Sequence, residues 1–315
     1  MTGPAAERGA GHHELSLQVR PTPERSGGGG MTFTMLVELA GPLTTLQDLG
    51  RPGFAHLGVP RSGALDQPAL LLGNRLVGNP ATSAGLEITV GPFAATLSFA
   101  GTLAFTGAAA PLRVGGRPAP INAPVSFRPG DRVEIGPAVA GLRGYLTVAG
   151  GFVAPLVLGS LATDTLSALG PPIVQAGDAL ALGAPAGDPS TVDVAPRPAI
   201  GGPITLGLTW GPRDDYFSGT AELLAGSYTI SNESNRVGAR LNGPALTRAH
   251  QRELPSEGIV LGAVQVPASG QPLIFLADHP TTGGYPVVAV VDPGDLPLLA
   301  QARPGDTVRF RGPQQ

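Results

Sequence analysis

The sequence predicts a mainly β protein with a few short helices, folded as two similar β-rich domains. Three observations predict it. Short apolar runs recur along the 315 residues, with 47 glycines and 34 prolines spread among 42% hydrophobic positions. Glycine and proline break long helices but supply the turns between antiparallel strands. A stretch rich in Ala, Pro, Gly and Asp over 184–203 reads as a linker. Finally, Arg128-Pro129-Gly130-Asp131-Arg132-Val133 is echoed by Arg303-Pro304-Gly305-Asp306-Thr307-Val308, each a turn feeding a closing strand near the end of its half. These divide the chain into 1–31, a disordered tail or mis-assigned start; 32–198, an N-terminal β domain; and 199–315, a C-terminal β domain.

The first strand is expected from Thr32 to Ala40. It leads into an irregular loop, Thr44 to Asp66, with the text TTLQDLGRPGFAHLGVPRSGALD. Asp66 can cap a helix: Pro68 is tolerated in a first turn, Ala69 to Val77 is mostly apolar, and Gly78-Asn79-Pro80 stops it. From Leu86 to Val148 the short runs LEITV, ATLSFA, TLAFTG, RVEIG and RGYLTVA suit an antiparallel barrel or sandwich. A short helix is expected over Ala162 to Leu169. Beyond the linker, ITLGLTW, SYTI, GIVLGAVQV, PLIFLAD and PVVAVVD read as strands. A last helix, Leu296 to Ala302, is capped by Asp295 and stopped by Arg303-Pro304-Gly305.

Composition excludes several functions. A net charge of −3 and a pI near 5.9 give no pull toward nucleic acid or anionic membranes. No apolar run approaches the roughly 18 to 20 residues that span a bilayer. Nor does an apolar core follow the N-terminus, so no secretory signal is read and a cytoplasmic protein is expected. There is no cysteine, which removes disulfides, thiol nucleophiles and thiolate metal sites. All 20 basic residues are arginine. The chain therefore cannot carry covalent biotin on a lysine, form a Schiff base or supply a Walker lysine. His56, His250 and His279 lack ligand spacing, so no protein-held metal is expected.

Only 14% of residues are charged, yet the first loop gathers Asp48, Arg51, Arg61 and Asp66. Ordering so polar a loop is costly unless it builds a site. The second half offers Asn235, Arg236, Glu257, Gln265 and Asp278-His279-Pro280-Thr281-Thr282-Gly283-Gly284-Tyr285-Pro286. Amides of the small residues Thr281 to Gly284 could converge as a nest for carboxylate, phosphate or an oxyanion. The bland alternative is that these carboxylates satisfy loop amides and that the small residues form an ordinary turn. The two loops are expected to meet in one cleft around an anionic guest. On that expectation Arg236→Ala abolishes turnover with little change in thermal stability.

Six ordered motifs carry a resemblance: TTLQDLGRPGFAHLGVPRSGALD, GNRLVGNPATSAGLEITVGP, GYLTVAGG, SNRVGARLNGP, ELPSEGIVLGAVQVPASGQP and DHPTTGGYP. From about Leu36 to Phe310 the chain resembles the family of 5-oxoprolinase C subunits, also called biotin-dependent carboxyltransferase, allophanate-hydrolase-subunit-2 or KipA-like. The resemblance implies two cyclophilin-like β-barrel domains. It implies two partners, a KipI-like B subunit with a LamB/YcsF-type A subunit. It also implies a small-molecule amide substrate, and ATP used within the complex to open 5-oxo-L-proline to L-glutamate. Alternatives are carboxyl transfer from biotin held on another chain, to urea or an amide, and a non-catalytic Kip-type regulator.

The matching positions are Gln47, Asp48, Arg51, Ser62 and Asp66, then Asn235, Arg236, Glu257, Gln265, Asp278, Thr281, Thr282 and Tyr285. Arg51 and Arg236 are expected to bind the anion, with Gln47, Ser62, Asn235, Gln265, Thr281, Thr282, Gly283, Gly284 and Tyr285 around the substrate. Asp48, Asp66, Glu257 or Asp278 is expected to act as acid or base. Three departures bear on the substrate. Gly159-Ser160-Leu161-Ala162-Thr163 lacks an arginine that relatives carry, Val237 and Ala239 replace Met and Tyr, and Pro280 stands where Gln usually precedes the threonines.

Overall fold

The computed structural model describes residues 33–313 apart from 193, 197–199, 251 and 253. The expected tail over 1–31 and the expected boundary at 198/199 lie outside the described residues. The chain is mostly strand, as read from the sequence. The N-terminal half contains β1 (Phe33–Leu39), β2 (Leu43–Gln47), α1 (Gln67–Leu76), β3 (Gly85–Thr89), β4 (Phe93–Leu97), β5 (Gly101–Ala109) and β6 (Leu112–Val114). It continues through β7 (Arg117–Ala119), β8 (Val125–Phe127), β9 (Arg132–Ile135), β10 (Ala140–Val148) and β11 (Ala179–Leu182). These form a six-stranded sheet, β11-β1-β4-β9-β6-β7, and a five-stranded sheet, β2-β3-β10-β5-β8.

After 200 come β12 (Ile204–Trp210), α2 (Thr220–Ala225), β13 (Tyr228–Ile230), β14 (Gly238–Asn242), β15 (Glu257–Gly258) and β16 (Ala263–Gln265). Then follow β17 (Leu273–Phe275), β18 (Thr282–Gly283), β19 (Val287–Val291), α3 (Leu296–Gln301) and β20 (Thr307–Arg311). Seven of these strands close a barrel, and β15 pairs with β18 outside it. In the N-terminal half the strands form two hydrogen-bonded sheets, and in the C-terminal half seven strands close a barrel.

Each half buries its own core. One packs Met35, Leu86, Phe93, Phe105, Leu146 and Phe152 among others; the second packs Leu206, Tyr228, Val264, Val288 and Phe310. Leu65, from the first loop, belongs to the second core.

Helix α1 begins as expected, with the Asp66 side chain accepting from the Ala69 amide at 3.0 Å and proline in the first turn. The helix expected over Ala162 to Leu169 does not form. Asp164 instead accepts from the Leu166 and Ser167 amides, and Ala168 has φ 56, outside the helical region. At α3, Asp295 does not cap by its side chain; its carboxylate accepts from the Gly207 amide and pairs with Arg311 at 3.0 Å. Helix α2 was not read from the sequence. The echoed turns do share a geometry. Asp131 accepts from the Arg128 amide at 2.7 Å and Asp306 from the Arg303 amide at 2.8 Å, while the amide of each aspartate donates back to the arginine carbonyl.

The long central strand β10 is buried along most of its length. Gly144 is required there because the Phe105 ring lies against its backbone, where a Cβ would come within 2.1 Å of the ring. Gly144→Ala is expected to overpack this contact and destabilise the protein by about 1–3 kcal/mol. The check is a lower urea midpoint with an unchanged slope.

Candidate functional site: a buried ionic seam and an exposed rim

The first loop and the Asp278 segment do meet, but they enclose protein groups. Ser62, held at φ 54, donates from its amide to the Ala277 carbonyl at 3.0 Å and from its hydroxyl to Asp278 Oδ1 at 2.7 Å. Asp278 Oδ2 accepts from the Thr165 amide and hydroxyl at 3.0 and 2.7 Å. Arg236 is 1% exposed and grips both Asp278 oxygens, through Nε at 2.9 Å and Nη2 at 3.1 Å. Its Nη2 also donates to the Gly63 carbonyl at 2.7 Å, and its Nη1 to Glu87. Glu87 in turn accepts from the Leu65 amide and the Tyr145 hydroxyl, and lies 3.6 Å from the Arg143 guanidinium.

This seam gives two of the expected site residues protein partners. Each guanidinium nitrogen of Arg236 meets a protein acceptor, so in this conformation none is left for a guest anion. Asp278 is likewise surrounded by donors. Burial alone would lower Arg236, but the charges of Glu87 and Asp278 hold it above its ordinary value. Burial pushes the Asp278 carboxyl up; Arg236, Ser62 and Thr165 reverse this and leave it below its ordinary 3.8.

Other members of the first loop are also tied inward. Asp48 accepts from the Gly50 and Leu161 amides and the Ser160 hydroxyl, each at 2.7 Å. Gln47 donates to the Thr163 carbonyl at 2.9 Å. Asp66 caps α1 and accepts from Gln301 at 2.7 Å, and burial raises its carboxyl. Arg51, 1% exposed, donates to the carbonyls of Val157 and Ala162, while its Nη1 meets no acceptor. Burial lowers that guanidinium, partly offset by the charges of Asp164, Asp48 and Asp278.

The remaining candidates lie on a rim of the C-terminal barrel, where Thr282, Gly284 and Tyr285 are exposed, Glu257, Thr281 and Gly283 half-buried, and Gln265 buried. Glu257 and Gly283 face each other across β15 and β18, and Gln265 donates to the Tyr285 carbonyl at 2.9 Å. The expected nest does not form. Thr282 and Gly283 are strand residues, and neither Gly283 nor Gly284 has the positive φ that turns successive amides inward. Asn235 faces solvent, but its Oδ1 accepts from the Val237 and Gly238 amides. Two arginines absent from the sequence-based set complete the rim. Arg213 binds both Glu257 oxygens and stacks 6.0 Å from the Tyr216 ring, and Arg248 lies 5.8 Å over Tyr285. The Arg213 hydrogen bonds hold Glu257 below its ordinary carboxylate range, so it is ionised at neutral pH. His279 is buried beside this rim, and burial lowers its imidazole. Among the described residues no three His, Asp or Glu side chains are grouped to hold a metal, and no helix is long and apolar enough to cross a membrane.

Arg236→Met strands two interior carboxylates and is expected to cost about 3–5 kcal/mol, seen as a large drop in Tm. The folded-state value of Asp278 is depressed, so its contribution is complete above its unfolded value near 3.8 and is lost as pH falls through the folded one. Ser62→Ala removes one hydrogen bond to Asp278. Acid unfolding, followed by circular dichroism against pH, should then begin at a higher pH than in the parent.

Comparison with known proteins agrees with this architecture. The family described as "Carboxyltransferase domain, subdomain A and B" matches residues 57–312. The chain is 36% identical over 276 residues to the 5-oxoprolinase C subunit of Escherichia coli, covering 86% of this chain and 88% of that protein. Its fold superposes on the crystal structure of K. lactis urea amidolyase with a TM-score of 0.83 at 28% identity, covering 89% of this chain but 19% of that one. On TTHA0988 the TM-score is 0.80 at 37% identity, covering 88% of this chain; the chain spans 55% of TTHA0988. The seam and most of both β halves fall within the matched residues, and the chain belongs to the carboxyltransferase domain family of subdomains A and B.

Proposed function

We propose that this chain is the C subunit of an ATP-dependent 5-oxoprolinase that opens 5-oxo-L-proline to L-glutamate. One observation carries the reading: the chain and the E. coli 5-oxoprolinase C subunit match over 86% and 88% of their lengths, whereas it corresponds to 19% of K. lactis urea amidolyase. The lettered name of that relative implies further subunits. The proposed partners, in the cytoplasm, are a LamB/YcsF-type A subunit together with a KipI-like B subunit.

A lactam carbonyl is a poor electrophile. In the proposed reaction its oxygen attacks the γ-phosphorus of ATP and ADP leaves. Water then adds to the activated carbon, the ring C–N bond breaks, and a second water releases phosphate to leave the γ-carboxylate of glutamate. On the rim, Arg213 and Arg248 are half-buried; Arg213 Nε and Nη2 hold Glu257 and Arg248 Nη2 donates to the Val266 carbonyl, so Nη1 of each supports binding of the substrate carboxylate or a phosphate. Glu257 is ionised, and it can take a proton from water once Arg213 turns to the substrate anion, because the pairing that lowers its basicity is then released. Tyr285 and Thr282, both exposed, would contact the substrate from the same rim.

Carboxyl transfer is the second reading, favoured by the family and the urea amidolyase relatives. Having no lysine, this chain would accept carboxylate from biotin on another chain rather than carry it.

The test mixes the purified chain with its two partner proteins and follows ATP hydrolysis with and without 5-oxoproline. Stimulation by 5-oxoproline supports the proposal. No stimulation, with carboxylation of urea or another amide from a biotinyl carrier, replaces it with the second reading. In the assembled enzyme Glu257→Gln is expected to lower turnover by about 10² or more while leaving Tm unchanged, because its side chain sits at the surface.

A further inference from the structure

A partly open cavity lies away from the rim. Between α1, α3 and the segment 200–205 there is a cavity of about 850 Å³. That is within the range of roughly 300–1,000 Å³ typical of pockets that enclose small organic ligands. None of Arg213, Arg248, Glu257, Gln265 or Tyr285 lines it.

Its walls are largely apolar, from Leu72 on α1 and Ile204 on β12 to Leu298 on α3. At its edge Val139 and Leu298 remain 71% and 42% exposed, so apolar surface stays in water there. The charged groups on the wall are unevenly matched. Both carboxylates already accept from protein donors, Asp66 from the Ala69 amide and Gln301, and Asp306 from the Arg303 amide. Among the described residues neither cation has a carboxylate within ion-pair distance of its guanidinium. Arg303 donates to the carbonyls of Gly141 and Ala138, which leave its charge uncompensated, and Arg75 is exposed without a side-chain partner among the described residues. Asn122, 2% exposed, also lines the cavity, and its Oδ1 meets no donor.

We propose that this cavity binds a small amphipathic organic anion, its carboxylate or sulfonate paired with Arg75 and Arg303 and its apolar body against Leu72, Ile204 and Leu298. Two guanidinium groups supply the charge preference, and the apolar walls require more of the ligand than a bare inorganic ion. The site is separate from the rim and does not depend on the reaction assigned to it.

The test titrates the full chain with anilinonaphthalene sulfonate, reads its fluorescence, and competes it with decanoate or uncharged decanol. Saturable binding to one class of site is expected, displaced by decanoate and much less by decanol. Arg75→Glu should weaken binding by about tenfold or more, and Leu72→Trp, which sets a bulky ring against the apolar wall, should weaken it as well. Binding that does not saturate, equal competition by decanol, or unchanged affinity in Arg75→Glu overturns the proposal. Arg75 is exposed, so its variant decides the matter even should Leu72→Trp fail to fold.

Discussion

The molecule depends on one buried cation. Arg236, on the C-terminal half, is compensated by Asp278 from its own half and Glu87 from the other, with the Gly63 carbonyl completing its hydrogen bonds. A guanidinium in a nearly dry interior is tolerated only when its hydrogen bonds are satisfied and its charge is met. Those conditions hold only with both halves docked in this register. The same requirement accounts for Ser62 at positive φ, because its hydroxyl must reach Asp278 while its amide reaches Ala277. It also accounts for the burial of Tyr145, which joins Glu87 to the Asp66 amide at the start of α1.

A second line of contacts runs from this seam to α3. Gln301 accepts from the Leu142 and Arg143 amides and donates to Asp66 and the Arg143 carbonyl. Arg143 returns a bond to the Ala300 carbonyl. Polar side chains therefore bridge the halves by bonding to backbone, which fixes their relative position more strictly than apolar contact alone.

How much of this was legible in the sequence depended on the range of the interactions. The Asp66 cap and the paired Arg-Pro-Gly-Asp turns were readable because their partners lie within three residues. That Asp48, Arg51 and Arg236 mattered was readable from charge crowded into an apolar chain. Their roles were not, because their partners stand far away in sequence: Leu161 for Asp48, Ala162 for Arg51, Glu87 for Arg236. Glu87 did leave a signal, a lone carboxylate inside the buried strand Gly85–Thr89. Arg213 and Arg248 left none, since an arginine beside a turn looks the same whether it faces solvent or a ligand.

Leu65 has a consequence of its own. It leaves the first loop and completes the hydrophobic interior of the opposite half. A fragment starting near residue 200 would be born with a hole and an uncovered apolar surface, and the preceding fragment would expose a leucine with nowhere to go. The two lobes therefore share part of their apolar interior through this one side chain.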